Sequence, residues 1–413
     1  MEEENLKIVR EHERFSMDSK MWVQSVQPKM EHADWEKYGF GRKKIPLFVR
    51  DQHRFGKDGY WYHSQYYCGA MDVGTEKSPR SVVVLPKVDK LDIAGMMSEA
   101  FGAALACGDR DVLEGLKEMS VVNDGKWVVM PEVGTMEWLA LFDLFHGILL
   151  QVVMMAALCD DLRSCTMDTR LVVMRSLDAL HGCGLLDRDS KVLGRELSEL
   201  YQCTVRSNMD VISVDVMNGV AAEVEPLVTS IALWCKEEEP LAKVPQFAVN
   251  MPLLFELWCL RRLRGTCGDG DILYQPAFTL CDLETARAEY GSVHEWRPDI
   301  LKVGEGLVID CKYKTTYGSR MRSDDIRQIA GYACLEGVRD ALGAGGAREV
   351  RSLFLYPDPE GCALDSRDLW DMAVCDRDEQ GRDIYHNVRR LGVKVPVLDE
   401  YRMASALKEM GMV

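Results

Sequence analysis

Two aspartates and a lysine lie on either side of a short turn in the last third of the 413-residue chain. The pattern of apolar residues predicts strands at 298–303 and 307–313, and the Gly-Glu-Gly sequence between them predicts a turn. An antiparallel hairpin of this form brings Asp299 close to Asp310, and Lys312 shares a strand face with Asp310. Carboxylates hold Mg²⁺ and an ammonium group positions a water, so these residues predict metal-dependent hydrolysis.

The helix predicted before this hairpin carries a further carboxylate. An Asp-x-Lys sequence is common on solvated strand faces as well as in metal sites, so its neighbours decide between the two interpretations. The helix opens at Met251 and contains Glu256 among apolar residues at helical spacing, which are Leu253, Leu257 and Leu260. This acidic helix favours the metal-site interpretation.

A second helix is predicted after the hairpin. Ser323 suits its N-cap and Gly337 suits its end. Within it Gln328 and Tyr332 lie one turn apart on the same face. A hydrophobic strand at 353–356 follows.

The resulting order is a helix with Glu, a strand, a strand with Pro-Asp, a strand with Asp-x-Lys, a helix with Gln-x-x-x-Tyr, and a strand. This order resembles the PD-(D/E)xK nuclease core. A closer resemblance is to McrC, the nuclease subunit of McrBC-type restriction systems, which are modification-dependent and include 5-methylcytosine-specific members. The stretches that carry it are 250–256, 297–300, 308–314 and 325–333, with a weaker similarity at 67–70 and 83–87.

The resemblance implies a type IV-like restriction endonuclease that hydrolyses DNA phosphodiesters with Mg²⁺, or with Mn²⁺ as an alternative. The implied metal ligands are Asp299, Asp310 and the backbone carbonyl of Cys311, because a hard cation prefers oxygen donors. Glu256 would lie in the outer coordination shell or at a second metal position.

The remaining residues of the motif would act around the metal. Lys312 would hold the attacking water and stabilise the charge that develops on the phosphorus centre. Gln328 and Tyr332 would position the lysine or a phosphate, or else they are polar residues of a helix surface that packs on the sheet.

The formal net charge of −16 is unusual for a protein that binds DNA by itself. Either local basic groups suffice, which are Arg261, Arg262, Arg264, Lys314, Arg320 and Arg322, or a partner delivers the DNA. The resemblance favours the partner, since in that family a separate AAA+ subunit recognises DNA. We therefore expect double-stranded DNA and a McrB-like AAA+ NTPase hexamer as partners. The chain has no Gly-Lys-Ser/Thr phosphate loop, so another subunit would bind the nucleotide.

The expected fold class is α+β with three parts. Residues 1–90 are predicted to be a β-rich arm, in which strands at 46–50 and 60–63 flank an Asp-Gly turn, and the resemblance implies docking of this arm to the AAA+ ring. Residues 91–245 are predicted to be mainly helical, with a turn at 123–125 and a charged boundary at 236–240. Residues 246–413 are predicted to form the endonuclease domain, a mixed sheet flanked by helices.

The stretch 138–158 is the most apolar part of the chain, but Asp143, His146 and Gln151 interrupt it. A buried helix is therefore predicted rather than a membrane span. The charged N-terminus has no apolar signal segment, and the 14 cysteines include no Cys-x-x-Cys pair. We expect a cytoplasmic protein with no membrane association and no zinc or iron–sulfur cluster.

Two alternatives to a partner-dependent nuclease remain open. A non-catalytic activator of the AAA+ ring would not need the full set of acidic residues and lysine. A stand-alone RecB-like repair nuclease often holds an iron–sulfur cluster, for which Cys334, Cys362 and Cys375 are widely spaced.

Overall fold

The chain folds as an α+β protein with mixed and antiparallel β-sheets. The computed structural model describes residues 6–11, 13, 15–17, 26–27, 48–50, 60–64, 66–72, 81–88, 91–97, 99–100, 120–132, 134–182, 213–234, 243–267, 271–279, 295–314, 323–343, 350–358, 370–377 and 383–393. The chain divides into two compact units, one formed by Met1–Leu254 with Pro396–Val413 and the other by Phe255–Val395.

The described residues of the first unit form two sheets. Its described strands are β1 (Leu6–Arg10), β2 (Phe15–Met17), β3 (Val26–Gln27), β4 (Phe48–Arg50), β5 (Tyr60–His63), β6 (Tyr67–Asp72), β7 (Ser81–Leu85), β8 (Ser120–Val129) and β9 (Lys243–Asn250). The larger sheet has the order β1-β7-β6-β9-β8, with β1 and β7 parallel and the other neighbours antiparallel. The smaller sheet, β2-β5-β4-β3, contains the antiparallel pair β4 and β5 that was predicted around the Asp-Gly turn.

The described helices of the first unit are α1 (Ile93–Met97), α2 (Met136–Leu158), α3 (Met167–Gly182) and α4 (Val214–Trp234). Thr135 caps α2, because its side-chain oxygen accepts a hydrogen bond from the backbone N–H of Trp138 at 3.2 Å. The stretch Met136–Ala156 is long and apolar enough to cross a membrane, yet 89% of its most apolar window is buried inside the protein. The prediction of a buried helix is therefore confirmed.

The described middle of the chain contains a long strand, β8, beside the helices α1 to α4. Strand β8 runs through the turn predicted at 123–125, and its pairing with β9 shifts register between Asn123 and Trp127. The extra residues of β8 between Asn123 and Trp127 therefore form a bulge, and the strand continues on both sides of it instead of ending in a turn. The predicted boundary at 236–240 lies outside the described residues, and the three predicted domains stay predictions.

The second unit is built around a six-stranded sheet. Its elements are α5 (Met251–Cys267, which begins in the last residues of the first unit), β10 (Ile272–Tyr274), β11 (Phe278–Thr279), β12 (Glu295–Trp296), β13 (Ile300–Lys302), β14 (Leu307–Cys311), α6 (Ser323–Cys334), α7 (Glu336–Ala341), β15 (Arg351–Pro357), β16 (Trp370–Arg377) and β17 (Asp383–Val393). The strand order is β10-β13-β14-β15-β17-β16, with β14, β15 and β17 parallel, while β11 and β12 pair separately. Every predicted element from the Glu256 helix to the strand at 353–356 is present in the predicted order.

The end of the Gln328 helix was predicted wrongly. Helix α6 ends at Cys334, Leu335 is extended, and Gly337 lies inside the short helix α7. A Cβ atom at Gly337 would lie 2.8 Å from Cδ1 of Phe278, so this glycine permits close packing rather than ending a helix. The core beneath combines fully buried residues of the sheet, Leu301 and Val308, with Ile329 of α6.

Gly69→Ala is expected to lower the free energy of unfolding by about 2–4 kcal/mol. Gly69 has φ +144°, and an added Cβ would lie 2.3 Å from the Phe247 carbonyl oxygen on the neighbouring strand. The matched change Gly219→Ala, at an exposed position of α4 with open space around it, is expected to raise stability by about 0.5–1 kcal/mol. Urea unfolding followed by circular dichroism measures both, and equal effects would contradict the packing argument.

Candidate active site

The register of the hairpin β13–β14 places the two predicted aspartates side by side. Ile300 pairs with Ile309, so Asp299 lies opposite Asp310 one position beyond the last strand pair. The backbone N–H of Cys311 donates a hydrogen bond to Oδ2 of Asp299 at 2.7 Å. The turn closes at Gly306, whose φ of +63° suits glycine. The predicted proximity of Asp299 and Asp310 is thus a property of the strand pairing.

Asp310 is a buried carboxylate that forms an ion pair with Lys312. Its exposure is 0%, and Nζ of Lys312 lies 2.7 Å from its Oδ2 as an ion pair. Apart from Lys312, no described group donates a hydrogen bond to either oxygen of Asp310. Burial raises the pKa of Asp310, although the attraction of Lys312 opposes that rise. The carboxylate is therefore short of donors and suited to a cation.

Asp299 is partly buried next to two further carboxylates. Burial, and then repulsion from Glu256 and Asp310, holds its pKa well above the ordinary value for aspartate. Three elements supply these acids, because Glu256 comes from α5, Asp299 precedes β13 and Asp310 lies on β14. Like charges gathered in this way are stabilised by a bound cation.

Glu256 contacts two residues that were not predicted from the sequence. Nε2 of Gln275 donates to Oε1 of Glu256 at 2.6 Å, and the Tyr274 hydroxyl also hydrogen-bonds to this carboxylate. Burial, and then the negative charge of Glu256, raises the pKa of Tyr274. Both residues stand at the end of β10 before Pro276, where the sequence has no glycine, asparagine or aspartate to mark an unusual backbone.

Lys312 is held on its other side by helix α6. Its Nζ donates to Oε1 of Gln328 at 3.0 Å, and Nε2 of Gln328 donates to the Tyr332 hydroxyl at 2.9 Å. Burial would lower the pKa of Lys312, but the carboxylates of Asp310 and Asp299 outweigh it and raise the pKa. The lysine is thus a charged donor that contacts Gln328, and Tyr332 reaches it only through Gln328.

The predicted basic groups are largely engaged within the protein. Nζ of Lys314 lies 2.7 and 2.8 Å from the two carboxylate oxygens of Asp325, which ties the end of β14 to α6. The Arg262 guanidinium lies 4.9 Å from the centre of the Trp258 ring, as a cation–π contact. Lys314 is therefore paired within the protein, and Arg320 and Arg322 lie outside the described residues.

The oxygen atoms of the candidate site are ligands of the type that a hard divalent cation prefers. Asp299 and Asp310 offer carboxylate oxygens, and those of Asp310 are buried with Lys312 as their one close donor among the described residues. In that part of the chain no three acidic, histidine or cysteine side chains already stand at metal-binding spacing. Because Lys312 neutralises Asp310, a cation would have to share this carboxylate with the lysine.

Comparison with known proteins found no matching family model and no matching curated protein. Among solved structures, the chain is similar to one described as a refined half-complex from the tetradecameric assembly of Thermococcus gammatolerans McrB AAA+ hexamers with bound McrC. The TM-score is 0.37 at 11% sequence identity, over 98% of this chain and 99% of that chain. A likeness of this size does not define the fold or the function.

Asp299→Asn is expected to stabilise the metal-free protein at pH 8, with a melting temperature higher by about 2–6 °C. The pKa of Asp299 is raised in the folded state. Its contribution to the free energy of unfolding is therefore favourable below the unfolded pKa of about 3.9 and is lost as the pH rises through the folded pKa. Asparagine removes the repulsion and keeps an oxygen acceptor for Cys311. The difference between variant and wild type should shrink as the pH is lowered towards 4.

Scanning calorimetry in the presence of a chelator measures this difference. The exposed Asp340→Asn serves as the matched control and should leave the melting temperature unchanged. A difference that does not depend on pH would refute the electrostatic explanation.

Proposed function

We propose that this chain is a metal-dependent DNA endonuclease of the McrC-like type, the nuclease subunit of a restriction system that defends against phage. The observation that carries the proposal is the buried carboxylate of Asp310, which has Asp299 beside it and Lys312 at 2.7 Å. Two acids and a lysine in this order are what PD-(D/E)xK hydrolysis needs. The chemistry proposed is phosphodiester hydrolysis with Mg²⁺, or with Mn²⁺ in its place.

In this proposal each residue of the site has one task. Asp299, Asp310 and the backbone carbonyl of Cys311 would hold the ion, with Glu256 in the outer shell or at a second metal position. The ion would supply positive charge near the scissile phosphate and make a water more acidic.

Lys312 would act as a donor and not as the base. Its carboxylate neighbours raise its pKa, so it keeps its proton at neutral pH. Its N–H groups would hold the attacking water and stabilise the negative charge that develops on a phosphate oxygen. Gln328, itself in contact with Tyr332, would fix the direction in which the ammonium group points.

The proposed partner is a hexameric McrB-like AAA+ NTPase that brings double-stranded DNA to the nuclease. The net charge of −16 and the absence of a phosphate loop from the sequence support this division of labour. Residues 1–90 are proposed as the docking arm through which the chain would stimulate nucleotide hydrolysis by that ring.

The test is cleavage of methylated and unmethylated plasmid DNA with Mg²⁺, with and without the AAA+ NTPase encoded beside this chain and its nucleotide. Asp310→Ala and Lys312→Ala should each reduce cleavage by about 100-fold or more, because each removes a group that acts on the reacting phosphate. Lys302→Ala is the matched control, since Lys302 pairs with Glu305 at the loop end of the hairpin.

Cleavage that needs the partner and is lost in both variants would support the whole proposal. Cleavage without the partner would leave the nuclease assignment and remove the partner requirement. If both variants still cut, the catalytic assignment is wrong. Faster nucleotide hydrolysis by the partner with no DNA cleavage would indicate a non-catalytic activator.

Gln328→Met is expected to lower the cleavage rate about 10-fold or more, whereas Tyr332→Phe should lower it less. Methionine removes the acceptor that Lys312 contacts, but phenylalanine removes only the hydroxyl that orients Gln328. Single-turnover rates at saturating Mg²⁺ measure both. A larger loss for Tyr332→Phe than for Gln328→Met would contradict this order of contacts.

A further inference from the structure

Gln275 connects two of the acidic residues of the candidate active site. Its side-chain Nε2 donates to Oε1 of Glu256 at 2.6 Å. Its backbone N–H donates to the carbonyl oxygen of Asp299 at 2.8 Å. One residue therefore joins the helix that carries Glu256 to the segment that carries Asp299.

The backbone of Gln275 is unusual in a way that serves these contacts. Its φ is +41°, and among the described residues no other residue except glycine has a positive φ. Successive residues of a regular strand point to opposite faces. At this break in the strand, however, Tyr274 and Gln275 both hydrogen-bond to the same carboxylate of Glu256. Strained backbone of this kind persists only where the surrounding contacts hold it, and it concentrates at functional sites.

We propose that Gln275 is a positioning residue that holds the Glu256 carboxylate beside Asp299 and thereby sets the affinity of the site for a divalent cation. The inference rests on the function proposed above. Glu256 and Asp299 repel one another, so Glu256 would turn away from the site if nothing held it. A side-chain amide holds it without adding a positive charge that would compete with the cation.

In the experiment, the metal-free protein is titrated with Mn²⁺ in the absence of DNA, and isothermal titration calorimetry measures the dissociation constant. Gln275→Met removes the amide at similar side-chain size and is expected to raise the Mn²⁺ dissociation constant about 10-fold or more. Tyr274→Phe, which removes the second donor to Glu256, is expected to raise it less. Circular dichroism of each metal-free variant establishes that it is folded.

The matched control is Gln246→Met. Gln246 is a buried glutamine of the first unit whose Oε1 accepts a hydrogen bond from the backbone N–H of Asp72 at 3.1 Å. This variant should bind Mn²⁺ like the wild type. Equal weakening in Gln246→Met and Gln275→Met would overturn the proposal, because the effect would then be a general loss of stability.

Failure of this inference is distinct from failure of the proposed function. If the wild type binds Mn²⁺, Asp310→Ala loses it and folded Gln275→Met binds normally, the positioning role is wrong while the nuclease assignment stands. If the wild type binds no Mn²⁺, both proposals fall. Should Gln275→Met not fold, Gln275→Asn provides the same measurement. Asparagine tolerates the positive φ of this position, but its amide is one methylene too short to reach Glu256, and it is expected to weaken Mn²⁺ binding about 10-fold or more.

Discussion

The ion pair between Asp310 and Lys312 is the interaction on which the arrangement of the second unit depends. A buried carboxylate is costly unless an opposite charge lies beside it, and Lys312 supplies that charge at 2.7 Å. The lysine is in turn held by Gln328, so the position of α6 on the sheet is linked to the charge balance of β14. Gln328 in turn contacts Tyr332, which packs edge-to-face on Trp296 with ring centres 5.7 Å apart.

A second constraint is the register of the hairpin. A shift of one residue between β13 and β14 would move Asp310 and Lys312 together to the opposite face and separate them from Asp299. The turn at Gly306 and the parallel pairing of β14 with β15, from Leu307–Arg351 to Cys311–Leu355, both oppose such a shift. The acidic pair is thus positioned by backbone pairing, which is more rigid than a loop.

Much of the site could be predicted because its signals are local. The alternation around Asp310 and the helical spacing around Glu256 each lie within one element, and both elements are present. Strand β8 could not be predicted, because its partner β9 lies more than a hundred residues away and the pairing overrides the Asn-Asp-Gly signal. The helix end predicted at Gly337 was wrong for a similar reason, because this glycine packs against Phe278, which is distant in the sequence. Gln275 was missed because its positive φ is set by tertiary hydrogen bonds and not by a turn residue.

The charges around the site bear on how DNA would reach it. Lys312 is paired with Asp310, Lys314 is paired with Asp325, and Arg262 lies over Trp258. These three cations make contacts within the protein, so their charges are less available to attract a phosphate backbone. The site gathers three carboxylates in a chain with a net charge of −16, which further repels a polyanion. For the function proposed above, an assembly in which another subunit supplies the DNA affinity would remove this conflict, because this chain would then need only to position the scissile phosphate.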